Sequence, residues 1–187
     1  MTPPEWSLDR YRPLLCLHVR QLRIGRLYQA RFDSSDVIQE ALVRAVKGLD
    51  QFRGQAEPEL VRWLQKVVGN VLKDLVRKHG AGKCDPRLER TMYDAAEDSD
   101  TPLAAFAAAS EPGPSTLAAR REDLLRLAAA VEELPEAERD AIVAHYVLEL
   151  PIAEVAVRLE RTEKGAAGLV FRGKRRLRQL LKGEGQT

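Results

Sequence analysis

The 187-residue chain reads as an all-α protein made of two small helical domains joined by a flexible acidic linker. Three observations carry that prediction. Apolar residues recur at helical spacing from Leu8 to His79 and again from Arg120 onward. Between Ala81 and Ala119 the composition shifts to Ala, Asp, Glu, Pro, Ser and Thr, as in DAAEDSDTPLAAFAAASEPGPST, a mixture unable to supply a core. Near the C-terminal end a short helix, a tight turn and a longer basic helix follow one another. The expected boundaries are therefore 1–80, 81–119 and 120–187, and the length suffices for one good core or two small ones.

In the first block, DSSDVIQEALVRAVKGLDQF opens with Asp33 as N-cap and Asp36 three residues on. Ile38, Ala41, Leu42, Ala45 and Leu49 form one face of this helix, and Asp36, Gln39, Glu40, Val43 and Lys47 form the other. Val43 is the odd member of the polar face. A lone exposed valine is ordinary on a protein surface, but in this setting it can anchor a partner helix. After the turn-like FRGQAEPE comes LVRWLQKVVGNVLKDLVRKH, with Leu60, Leu64, Val67, Val68, Val71 and Leu75 as its buried stripe. Arg62, Lys66, Lys73 and Arg77 line the opposite side, with Trp63 and Asn70 on a flank. Such cations are often only a solvated face. The aromatic and the amide favour a nucleic-acid role: cations neutralise phosphates, an aromatic ring stacks on an unpaired base, and an amide reads its edge.

The linker carries Asp94, Glu97, Asp98, Asp100 and Glu111 with no Lys or Arg between Asp94 and Glu111, and Leu103 to Ala109 form at most a transient helix. Periodicity resumes at REDLLRLAAAVEELPEAERD, where Pro135 suits the first turn of a new helix. Ile152, Val155, Ala156 and Leu159 then mark a short helix, and Thr162 is placed to cap the next one. That last helix, in RTEKGAAGLVFRGKRRLRQLL, buries Ala166, Leu169, Val170, Gly173, Leu177, Leu180 and Leu181 on one arc. Lys164, Gly168, Phe171, Arg175 and Gln179 face outward, with Gly165, Arg172 and Arg176 along a flank. Each interior glycine costs about 1 kcal/mol relative to alanine. The expected return is close approach, by a neighbouring helix at Gly173 and by something large at Gly168. Short helix, turn and basic helix together make a helix-turn-helix, whose second helix would enter a DNA major groove.

Net charge is only +2, yet from Arg161 to Lys182 eight cations face a single acid, Glu163. That segregation points to a polyanionic partner. The N-terminal MTPPEWSLDRYRPLL lacks the apolar stretch of a signal peptide, and no run reaches the ~20 apolar residues of a membrane span, so a cytoplasmic protein with no membrane partner is expected. Cys16 and Cys84 lie far apart and outside any CxxC pair, which reads as two reduced thiols. His18, His79 and His145 do not cluster with cysteines at ligand spacing, so no metal is expected. Asp33, Asp36 and Glu40 could be written as a catalytic cluster. They lie along one helix with no nucleophile, histidine or glycine-rich loop beside them, and capping accounts for them, so neither an enzyme nor a cofactor is expected.

FDSSDVIQEALVRAVKGLDQFRG, WLQKVVGNVLKDLVRK, ELPEAERDAIVAHYVLELPIAEVAVRL and FRGKRRLRQLL, in that order, resemble the two blocks of a bacterial RNA polymerase sigma factor of the extracytoplasmic-function (ECF) group. RREDLLRLAAAVEELP and GLVFRG resemble the planctomycete type. The resemblance implies that residues 1–80 form sigma region 2 and residues 120–187 form sigma region 4. In region 2 it nominates Asp36, Gln39, Glu40, Val43 and Lys47 for the β′ clamp helices of core polymerase. It nominates Phe52, Arg53, Gln55, Arg62, Trp63, Lys66, Asn70, Lys73 and Arg77 for opening the minus-10 promoter element. Region 4 is implied to touch the β flap and to read the minus-35 element through Lys164, Phe171, Arg172, Arg175 and Arg176, with Gly168 at the point of approach. Ala167 and Gly168 stand where many relatives carry polar or basic side chains. An anti-sigma protein or a kinase is the implied class of regulator, unidentified. The competing reading is a stand-alone helix-turn-helix regulator, which accounts for the C-terminal block and leaves the Asp36–Lys47 face and the Trp63–Asn70 pair unexplained.

Overall fold

The computed structural model describes residues 7–21, 34–79 and 114–183, and these are helical with no strand among them. They divide between two compact units, 1–121 and 122–187. In the first unit a 3-10 turn, Leu8–Tyr11, leads into α1 (Arg12–Gln21); α2 is Ser34–Gly48 and α3 is Glu57–His79. Helix α1 packs on both α2 and α3, which pack on each other. Leu14, Leu15, Ile38, Leu60, Leu64 and Val68 fill the space between them. Burial of that apolar surface is the driving force for the unit. The Tyr11 hydroxyl donates to Glu57 Oε1 at 2.6 Å, tying the N-terminal turn to the start of α3.

Most of the expected faces are present. Ile38, Ala41, Leu42 and Ala45 are buried, while Leu49, Val67 and Leu75 are only half-buried. Val37, Val61 and Leu72 join the core without having been expected there. Asp33, the expected N-cap, the acids Asp94 to Glu111, the segment Leu103 to Ala109 and Cys84 lie outside the described residues. Cys16 is buried.

The second block starts earlier than its periodicity suggested. Helix α4 spans Pro114–Glu132, beginning at a proline that suits a first turn rather than at Arg120. Arg139 closes its C-terminal end, donating from Nη1 to the Glu132 carbonyl at 3.1 Å. Pro135 stands at the N-cap of α5 (Glu136–Ile142), one position before the first turn assigned to it. Helix α5 runs on into a π-helical turn, Val143–Val147, closed by the Leu148 N–H on the Val143 carbonyl at 3.0 Å. Glu149 takes a left-handed φ of 54°, and α6 (Ile152–Leu159) follows.

The turn after α6 is held on both sides. Glu160 adopts φ 54°, and the Arg161 N–H reaches back to the Ala156 carbonyl at 2.9 Å, a Schellman closure built on glutamate instead of glycine. Thr162 Oγ1 accepts the Gly165 N–H at 3.1 Å, capping α7 (Glu163–Gly183) as its position predicted. Helix α7 packs on α5 and α6, completing the helix-turn-helix. Gly173 makes the close crossing possible. A Cβ there would lie 2.7 Å from Ile142 Cγ1 and 3.3 Å from the Glu138 carbonyl oxygen.

Candidate nucleic-acid interface

Helix α2 presents an uninterrupted exposed face. Asp36, Gln39, Glu40, Val43 and Lys47 are all exposed, and Val46, 64% exposed beside Val43 at 44%, adds an apolar residue that the sequence projection missed. Val43 and Val46 are three residues apart, so they share this face. Glu40 is engaged within the chain: its Oε1 lies 2.8 Å from Arg44 Nε, and Arg44 Nη1 reaches Asp74 Oδ2 on α3 at 2.6 Å. Asp74 Oδ1 in turn meets Arg77 Nη2 at 3.0 Å. The arginine beside it holds the Asp74 carboxyl below the usual range. Four charged residues thus form a chain of ion pairs from a nominated polymerase contact to a nominated DNA contact.

The loop before α3 is folded onto the helix. Glu59 Oε2 accepts the backbone N–H groups of Gln55 at 2.7 Å and Ala56 at 3.1 Å, one half of a capping box. Those two hydrogen bonds lower the Glu59 pKa. Phe52 lies over Gly54, where any Cβ would collide with its ring, and stands 5.3 Å from Trp63 between centroids. Trp63 also covers Gly48 and is half-buried: part of the ring packs within the chain and part remains exposed. Arg53, Arg62, Lys66, Asn70 and Arg77 are exposed along the same helix and loop, Lys73 is half-buried, and Gln55 exposes its side chain while its N–H is used by Glu59. Arg53 Nη1 donates to the Asp50 carbonyl at 2.9 Å.

On α7 the apolar arc turns inward as projected, with Ala166, Val170 and Gly173 buried and Leu169, Leu177, Leu180 and Leu181 half-buried. Lys164, Phe171, Arg175 and Gln179 are exposed, Phe171 to 68%. Lys174 places Nζ 5.7 Å from the centroid of the Tyr146 ring, a cation–π distance. Two details add to the projected outer face. Gly168 does not face open space alone, because a Cβ there would meet Arg172 Nη1 at 3.3 Å. Arg172 and Arg176, expected along a flank, are exposed, and their Nε atoms lie 3.7 and 3.3 Å from the Glu138 carboxylate on α5. Sequence reasoning missed Glu138, although its spacing to buried Ala141 and Ile142 puts it on an apolar stripe.

No group of His, Cys, Asp and Glu among the described residues could hold a metal ion, and no described helix is long and apolar enough to cross a membrane. Comparison with known proteins matches both units. Residues 8–82 match the family described as Sigma-70 region 2, and residues 124–177 match Sigma-70, region 4. The chain is also 29% identical, over 149 residues, to the RNA polymerase sigma factor CnrH of Cupriavidus metallidurans, covering 80% of this chain and 73% of that protein.

Proposed function

From the premise that this chain belongs to the sigma-70 family, as an alternative sigma factor of the ECF group directing transcription initiation, we propose a division of labour between its two units. The first unit is region 2. It docks core polymerase through the exposed face of α2, with Val43 and Val46 seated on the β′ clamp helices and Asp36, Gln39, Glu40 and Lys47 around them. The second unit is region 4, which meets the β flap and lays α7 in the major groove of the minus-35 element.

The observation that carries this reading is a pair of unspent surfaces. One is the exposed α2 face with two valines among charges, and the other is the cationic outer surface of α7 with Lys164, Arg175 and exposed Phe171. An exposed apolar pair rimmed by charge suits a protein partner, and a cationic helix after a tight turn suits duplex DNA. Also on the first unit, Phe52, Trp63 and Asn70, flanked by Arg53, Gln55, Arg62, Lys66, Lys73 and Arg77, capture the opened minus-10 strand. The half-buried ring of Trp63, packed on Phe52, is a rigid platform for one unstacked base.

The finer assignments follow from the same reading. RREDLLRLAAAVEELP and GLVFRG support the planctomycete type within the group. Core polymerase and promoter DNA are the partners, an anti-sigma protein or a kinase is the class of regulator, and the cytoplasm is where such partners meet. The chemistry of initiation belongs to the polymerase, so this chain acts by binding.

Run-off transcription with purified core polymerase and a set of genomic promoters is the direct test. Wild type should give discrete products on a subset of promoters, and Val43→Asp with Val46→Asp should abolish them while circular dichroism stays wild-type. These positions are preferable to Glu40, whose replacement would also release Arg44 from its ion pair. If the double variant still co-elutes with core polymerase at wild-type affinity, the α2 assignment is wrong. Duplex binding with no core association at all would mark a stand-alone regulator.

A further inference from the structure

Glu138 is buried, its side chain only 10% exposed, and it lies at the crossing of α5 and α7. The crossing is tight because Gly173 has no side chain, and the Glu138 carbonyl itself lies 3.3 Å from where a Cβ at Gly173 would stand. From that position its carboxylate reaches two residues one helical turn apart. Oε1 faces Arg172 Nε at 3.7 Å and Oε2 faces Arg176 Nε at 3.3 Å. Both contacts use Nε, and both arginine side chains remain about half exposed, 54% and 52%. Arg172 has a second constraint. Its Nη1 lies 3.3 Å from the Cβ position of Gly168, so the guanidinium runs back along α7 over the glycine.

We propose that Glu138 and Gly168 make Arg172 a pre-oriented guanine reader. The inference rests on the reading that α7 enters the minus-35 major groove. An arginine free to swing serves any phosphate within reach. One paired through space with a carboxylate at Nε and lying back over Gly168 is biased to present its remaining Nη donors in one direction, the fork that matches O6 and N7 of guanine. Backward placement adds to this, since it is the N-terminal part of a recognition helix that meets base edges. Arg176 shares the carboxylate but lies one turn further on, with no glycine beneath it, and serves the backbone. Glu138 never touches DNA here; it is a positioning residue, and the glycine on the open face is explained by the arginine that lies over it.

The test uses holoenzyme assembled from the full chain and core polymerase, with a promoter library randomised across the minus-35 element and binding measured over a salt series. Wild type should prefer guanine at one position. Arg172→Lys, which keeps the charge and loses the fork, and Glu138→Gln, which keeps the shape and loses the charge, should both flatten that preference about tenfold. The salt slope and the preferences at other positions should stay unchanged. Gly168→Ala displaces the guanidinium without endangering the fold, since alanine favours helix, and should weaken the same preference alone. It decides the matter if Glu138→Gln lowers thermal stability. A Glu138→Gln or Gly168→Ala holoenzyme with wild-type base preference would overturn the proposal. So would an Arg172→Ala effect spread evenly over all sequences with a lower salt slope, the behaviour of a phosphate contact. Should Arg172→Ala and Arg175→Ala both leave promoter binding untouched, the placement of α7 in the groove fails instead.

Discussion

His18 is fully buried in α1, and neither ring nitrogen meets a hydrogen-bond partner. Burial therefore disfavours its cation and lowers its pKa from the usual 6.5 to about 4. Between those values the unfolded chain binds a proton that the folded chain does not, so stability rises with pH across the window. The contribution is complete above about pH 6.5 and is lost as the pH falls toward 4. Urea unfolding followed by fluorescence reports on the first unit, because Trp63 packs within it and the other tryptophan, Trp6, precedes its described residues in the sequence. That unit should lose about 2 kcal/mol between pH 7.5 and pH 5, and His18→Leu should remove the slope. A wild-type slope persisting in the variant would assign the dependence elsewhere. Asp74, held low by Arg44, and Glu59, held low by the Gln55 and Ala56 N–H groups, lose their contribution only at lower pH. Legibility at this scale depends on pattern. Thr162 as a cap was readable from its place before a helical period. His18 and Glu138 each signalled burial by standing on an apolar stripe, LLCLHV in one case and Glu138–Ala141–Ile142 in the other, but composition alone lets a polar residue pass for surface.

At the scale of elements, the crossing of α7 on α5 depends on one missing side chain. Alanine at Gly173 would bring a Cβ to 2.7 Å from Ile142 Cγ1, closer than real contacts allow, with the Glu138 carbonyl at 3.3 Å on the other side. Overpacking of this kind costs about 1–3 kcal/mol, and the better helix propensity of alanine returns about 1 kcal/mol. Gly173→Ala should therefore destabilise the second unit, seen by circular dichroism in a denaturant series. Ile142→Ala opens a cavity on its own, but it also removes the offending Cγ1. The double variant should thus be more stable than the two single losses predict, by about 1 kcal/mol of coupling. Strict additivity would mean that α7 relieves the clash by shifting as a body. The glycine was legible because it fell in the middle of the apolar arc of α7. Gly168 was not legible in the same way: its outward position suggested room for DNA, and only side-chain placement brings Arg172 Nη1 to 3.3 Å from where a Cβ would stand. The π-helical turn after α5 left no periodic signal, and the start of α4 at Pro114 was hidden by a first turn of small and polar residues that resembles the segment before it.

For the whole molecule the governing fact is charge separated along the chain rather than accumulated, since the net is only +2. Helix α7 and its flank carry eight cations against one acid from Arg161 to Lys182, while Asp94 to Glu111 carries five acids and no Lys or Arg. A polyanion that binds the first stretch must compete with the second whenever the acidic segment reaches it in the free protein. That competition is electrostatic, so it is strongest at low salt and fades as the Debye length shrinks below about 10 Å. Changing Asp94, Glu97, Asp98 and Asp100 to the corresponding amides should therefore raise duplex affinity of the isolated protein at low ionic strength and leave it unchanged at high. Arg175→Ala provides the calibration, because loss of one exposed phosphate contact should lower the salt slope by about one. If instead the segment acts only as a spacer between the two units, the amide variant and wild type bind alike. Fluorescence anisotropy with one duplex over a salt series separates the two: curves that converge as salt rises mean self-masking, and curves that coincide throughout leave the acidic segment a spacer.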